Sequence, residues 1–213
     1  MSTAKDLFIV AVAQGPGSGS GGSVGQGDLS LALAGAELVD LLGAGAVTVS
    51  DGRIVPDELP YTGDPLLREA AAAVTRREPY EQPYEQPYEQ VEDWLWRRGR
   101  GLSAAYQTAL VEEGELTPKR GGALSLGADR LELADTAVHR RAAERLREGE
   151  PVLVALASTV GVGDQQDDEE GELGDEAVTT VVVAVRDAVM ELEAVRQRRS
   201  IENAAFANIW RGP

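Results

Sequence analysis

Arginine is the residue through which this chain could do chemistry. Eighteen arginines stand against two lysines, and they fall in three clusters: Arg97, Arg98 and Arg100; Arg140, Arg141, Arg145 and Arg147; Arg196, Arg198 and Arg199. A guanidinium presents a planar fork of donors that grips a phosphate or carboxylate through two hydrogen bonds. The first cluster, Trp96-Arg97-Arg98-Gly99-Arg100, combines that chemistry with an aromatic neighbour and is the candidate anion site.

Other chemistries lack their residues. The chain has no cysteine, which excludes thiolate metal sites, disulfides and cysteine nucleophiles. Its one histidine, His139, rules out multi-histidine metal sites and is expected to be exposed. A serine hydrolase needs a G-x-S-x-G elbow, and Gly17-Ser18-Gly19-Ser20-Gly21 is only part of a Gly/Ser tract. The same tract holds a G-x-G-x-x-G match at Gly17, Gly19 and Gly22. A dinucleotide site would require an acid ending a second strand about 20 residues on, whereas Asp40 lies within a helical pattern. Residues 164–176 carry eight acids and no base, but without the spacing of a calcium loop they read as solvated chain. No cofactor and no metal are expected.

The elements that must position the arginines follow from pattern. The 213 residues are 43% hydrophobic and 26% charged, an ordinary globular balance. Acids outnumber bases 36 to 20, a net charge of −16, which argues against nucleic acid as a partner. No apolar run approaches the roughly 20 residues of a bilayer span, and the start, MSTAKDLFIVAVAQ, lacks the basic region of a secretory signal. Leu7–Ala13 is apolar but too short for periodicity to assign. Residues 28–43 read as a helix capped by Asp28, and Asp51-Gly52 between β-branched runs signals a tight hairpin.

Asp64 caps and Pro65 opens a helix over 62–77. The word PYEQ, three times over 79–90, places proline at every fourth position and excludes helix interior. A short helix resumes at 91–98, with Trp94 expected in the core and Trp96 at its rim or at an interface. Ser103 is the candidate cap of a helix that Gly114 stops, and a second hairpin is expected from ALSL (123–126) against RLEL (130–133). Leu38-Val39-Asp40 and Leu110-Val111-Glu112 make the two helix-plus-hairpin units a weak internal repeat. Asp135 or Thr136 caps a helix to Glu148, Pro151 opens an apolar helix, and 175–199 form a long helix despite the strand propensity of TTVVVAV. A separate short helix around 201–210 closes the chain, with Trp210 as its anchor. The fold class is therefore mainly α, about eight helices with two small β-hairpins.

The order of these pieces, with TGDPLLREA at 62–70, a Trp-bearing helix at 91–98 and LVEEGEL at 110–116, resembles the Golgi phosphoprotein 3 family in its short bacterial form. The likeness covers nearly the whole chain. It implies one compact helical-bundle domain over 1–213, with segments expected to be flexible at 15–27, 79–90 and 164–174. It also implies a non-enzymatic, peripheral-membrane adaptor that binds phosphatidylinositol 4-phosphate. Of the head-group positions that the resemblance implies, the paired arginines fall near Arg100 and Ser103, the helical arginine near Ala34, and no aromatic lies between Phe8 and Tyr61. Arg100, with Arg97 and Arg98, is therefore the expected head-group site. The implied partners are an anionic phospholipid or phosphoinositide head group, and the location the cytoplasm or the inner face of the membrane. The alternatives are a self-associating protein-interaction module, forming a homo-oligomer through its β-hairpins, and a winged-helix-like regulator.

Overall fold

The computed structural model describes residues 2–13, 24–57, 63–74, 88–119, 130–163 and 173–209. The apolar start forms helix α1 (Thr3–Ala13). Leu7 through Ala11 are all buried, so this helix has no solvent face and no amphipathic signal by which to recognise it. Its first N–H groups are capped from outside. Asp40 of helix α2 (Gln26–Gly43) accepts hydrogen bonds from the Thr3 and Ala4 amides at 2.8 and 3.1 Å and from the Ser2 hydroxyl at 3.1 Å.

Helix α2 is the centre of the bundle, and Leu29 through Leu38 are buried without a break. At Gly35 it meets the long helix α8 (Glu176–Ile209), where a β-carbon on Gly35 would stand 2.2 Å from the Val185 methyl. Only a glycine lets the two backbones come so close.

A three-stranded antiparallel sheet follows α2: β1 (Val47–Ser50), β2 (Arg53–Pro56) and β3 (Glu89–Gln90), in that order. Asp51 and Gly52 turn the first hairpin with φ of 50° and 71°, the paired positive angles of the tight turn expected there. Asp64 caps helix α3 (Pro65–Ala73) through the Leu66 and Leu67 amides. Helix α4 (Val91–Arg98) has the bounds that its sequence predicts, and Trp94 and Leu95 are fully buried.

Helix α5 (Leu102–Glu112) starts at Gly101, not at a Ser103 cap. Ser103 lies inside the helix and donates its amide to the Ser30 hydroxyl at 3.1 Å. The two helix-to-strand units close alike. Ala46 N–H bonds Leu41 C=O across Gly45, and Glu115 N–H bonds Leu110 C=O across Gly114, with the glycines at φ 67° and 77°. Both are the left-handed helix terminus that glycine favours.

Strand β5 (Arg130–Leu133) pairs with β4 (Leu116–Lys119), Leu116 opposite Leu133; residues 123–126, expected to pair with RLEL, lie outside the described residues. Thr136 caps helix α6 (Ala137–Arg147) and Glu150 caps α7 (Pro151–Thr159). Helix α8 runs unbroken to Ile209, so the expected break near residue 200 does not occur; no glycine or proline interrupts 176–209. Its valines, read alone, favour strand, but Val181, Val182, Val185 and Val189 form one buried face against α2, α4 and α7.

Eight helices and two small sheets among the described residues make a mainly α structure. Of the segments expected to be flexible, 15–23, 79–87 and 164–172 lie outside the described residues. At their margins Gln26 and Gly27 belong to α2, and Glu89–Gln90 to β3.

Candidate functional site

The arginines of the first cluster sit where α4 ends and α5 begins. Arg97 forms a two-point ion pair with Glu89, Nε to Oε1 and Nη2 to Oε2, both at 2.7 Å. Its Nη2 also donates to the Ala73 carbonyl at 2.7 Å, and its guanidinium lies 5.3 Å from the centre of the Trp94 ring. The hydrogen bond to Glu89 raises the Arg97 pKa further above its ordinary value.

Arg98 is turned inward. It grips Glu37 at 2.7 and 2.9 Å, and the same carboxylate accepts the Tyr106 hydroxyl at 3.2 Å. The Glu37 side chain is fully buried. Burial raises its pKa above the ordinary carboxylate value, against the lowering effect of Arg98. Burial works to lower the Arg98 pKa, but the hydrogen bond and charge of Glu37 outweigh it. Tyr106 is pushed well up by burial, with the Glu37 charge adding to the effect.

Arg100 is different. It is exposed and makes no hydrogen bond or ion pair within the described residues. The turn that carries it is rigidly seated: a β-carbon on Gly99 would lie 2.6 Å from the Leu95 carbonyl and 3.3 Å from that of Ser30, and Gly101 adopts φ 70°. Gly101 also provides no side-chain cap to α5. The turn thus projects a guanidinium beside the positive end of a helix, an arrangement suited to an anion.

The remaining implied head-group positions are interior. Ala34 is fully buried and its carbonyl accepts the Trp94 indole N–H at 3.2 Å; Ser103 is also buried. Phe8 packs on Tyr106 with ring centres 6.4 Å apart. The expected groups therefore do not converge: Arg100 faces outward, Arg97 lies at the surface against Glu89, and Arg98 belongs to the core.

The other arginine clusters are largely consumed in the same way. Arg141 and Arg145 hold the buried Asp6 of α1 at 2.8 and 2.5 Å, and Arg145 also meets Glu150. Arg196 pairs with Asp28 at 2.6 Å. His139, expected to be exposed, is half-buried, and its amide donates to the Thr136 hydroxyl. Trp96 is half-buried against the core, as its rim position predicts, and Trp210 lies outside the described residues. The partners of Arg98, Arg141 and Arg196 escaped sequence reasoning because they are distant in the chain, 61, 135 and 168 residues away; Glu89 is only 8 residues from Arg97 but lies on β3 and not on α4.

Among the described residues no helix is long and apolar enough to cross a membrane, and no three carboxylate or histidine side chains are grouped to hold a metal ion. No curated protein matches the chain. The family model of Golgi phosphoprotein 3 (GPP34) matches residues 4–197, spanning every element from α1 into α8, and the chain belongs to that family.

Proposed function

We propose that this chain is a non-catalytic, peripheral-membrane adaptor-type domain that meets a phosphoinositide-type head group at the α4–α5 turn, with Arg100 as the contacting residue. The observation that carries the reading is the division of labour among three neighbouring arginines. Arg97 and Arg98 are already engaged by Glu89 and Glu37, whereas Arg100 has no partner within the described residues and sits on a turn held in place by Gly99. Arg97 adds positive potential nearby, since its side chain is 42% exposed, but its fork is occupied. Arg98 acts from inside by fixing the end of α4.

The net charge of −16 opposes any general attraction to an anionic surface, so binding rests on local contact and weakens steeply with salt. The test is co-sedimentation of the full chain with phosphatidylcholine vesicles, with and without phosphatidylinositol 4-phosphate, at low and physiological salt. Capture that needs the phosphoinositide, weakens with salt and is lost in Arg100→Glu at unchanged thermal stability supports the reading. Absence of capture in both salts removes the lipid and leaves the fold untouched.

A further inference from the structure

We propose that α8 is a self-association surface along which a second copy of this chain packs antiparallel. One face of the helix is buried; the opposite face presents Val183, Asp187, Met190, Ala194, Gln197 and Ile201. These residues alternate four and three apart, the spacing that keeps a seam facing a neighbouring helix. Val183, Met190 and Ile201 are 47%, 64% and 70% exposed, and they are three of the four large hydrophobic side chains so exposed among the described residues.

The helix also outruns the body of the domain. Leu192 and Arg196 still lie against the start of α2, but every side chain from Gln197 to Asn203 is exposed.

Charge selects the occupant. The N-terminal half of α8 forms one wall of an open groove of about 500 Å³, and the Asp51-Gly52 turn and the start of α4 form the other. Asp51, Glu92, Glu176 and Asp187 line it without any basic side chain, and Val183 and Ala184 supply apolar surface. The C-terminal half carries Arg198 and Arg199, exposed and without a partner among the described residues. A straight helix rises 1.5 Å per residue. Arg198 is therefore held roughly 22 Å along the axis from Val183 and cannot fold back into its own groove, while Arg199, seven residues after Leu192, points to the other side of the helix. A second copy can bring the two ends together.

In antiparallel register Val183 meets Ile201 of the second copy, Met190 meets its Ala194, and Asp187 meets its Gln197. Apolar then faces apolar, long faces short, and a carboxylate receives an amide donor. The basic end of each helix lies in the acidic groove of the other. Parallel packing would instead set Asp187 against its own copy within the seam. Glu191 and Glu193 flank the two-fold and oppose the association, so the dimer dissociates on dilution. None of these residues belongs to the Arg100 turn, so failure of the dimer would leave the lipid reading standing.

Sedimentation velocity of the full chain over a dilution series is the first measurement. A dimer at high concentration that becomes monomeric in Met190→Glu, and equally in Ile201→Glu, with helix content unchanged, is the expected result. Because the chain has no cysteine, single-cysteine variants then report the direction. A mixture of Val183→Cys and Ile201→Cys forms a disulfide-linked dimer on mild oxidation, and neither variant does so alone. A wild type that is monomeric throughout, a dimer indifferent to both glutamates (as pairing through the β4–β5 edge would be), or cross-linking of Val183→Cys with itself overturns the proposal.

Discussion

Arg98 of α4 and Glu37 of α2 form a two-point ion pair in the interior, 2.7 and 2.9 Å, and Tyr106 of α5 donates to the same carboxylate at 3.2 Å. One buried acid thus joins three helices. The α4–α5 turn hangs from this junction, so the pair also determines where Arg100 stands. An arginine that looks like recognition chemistry in the sequence is here a structural part, and Arg100, two residues on, is exposed without a partner among the described residues.

Removing one member of the pair exposes the cost of the other. Glu37→Gln leaves the mostly buried Arg98 guanidinium with a neutral partner and takes the charged acceptor from Tyr106. The expected destabilisation is about 3 kcal/mol, read as a lower urea midpoint at unchanged slope. Replacing both partners by methionine is expected to cost less than the sum of the two single changes, because no charge is left stranded. Additive losses in that double-mutant cycle would mean that the two side chains are not coupled.

Much of the backbone was legible, and the reasons are local. VEDWLWRR marks α4 to the residue, Asp64-Pro65 marks the start of α3, and Asp51-Gly52 the first turn. Caps and turns are properties of a few adjacent residues. What could not be read depends on distant residues. Helix α1 is buried all round and so has no periodicity to find. RLEL pairs with LTPK, a segment whose proline weakens any strand signal of its own. The valines of α8 follow their burial against α2, not their propensity. At the candidate site, residue types alone identified the three arginines but not which of them Glu37 and Glu89 would occupy.

The α2–α8 crossing at Gly35 is a sharp test of packing. Gly35→Ala places a methyl 2.2 Å from a Val185 methyl, and the β-branched valine has little rotamer freedom with which to yield. Overpacking of this kind costs about 1–3 kcal/mol, more than the helix propensity gained. Val185→Ala in the same chain makes room, so the double variant is expected to recover part of the loss in thermal unfolding. A Gly35→Ala variant as stable as wild type would show that the helices do not meet there.

Asp6 fastens α1 to α6. Its fully buried carboxylate binds Arg141 and Arg145, and the Arg141 Nε has no partner. Asp6→Ala leaves two partly buried guanidinium groups facing each other. The expected loss is about 3 kcal/mol, with faster hydrogen exchange in the amides of α1 than in those of α5. A uniform change across all helices would point to global destabilisation instead of release of α1.

Acid dependence follows from Asp40, which burial holds above the ordinary carboxylate pKa. The folded chain then binds more protons than the unfolded chain between the ordinary and the raised value. Stability falls with pH wherever the folded state holds the extra proton. The contribution is complete below the ordinary carboxylate range and is lost as pH rises through the raised value. The chain is therefore expected to melt higher at mildly acidic pH than at neutral pH, and relief of the repulsion within a net charge of −16 acts in the same direction. Asp40→Asn separates the two effects. The Thr3 and Ala4 amides bind different oxygens of the carboxylate, so the single amide oxygen keeps one of them and does not titrate; the variant is expected to be less stable throughout but to show a shallower rise in melting temperature on acidification. If wild type and Asp40→Asn give parallel melting curves against pH, Asp40 does not carry the dependence.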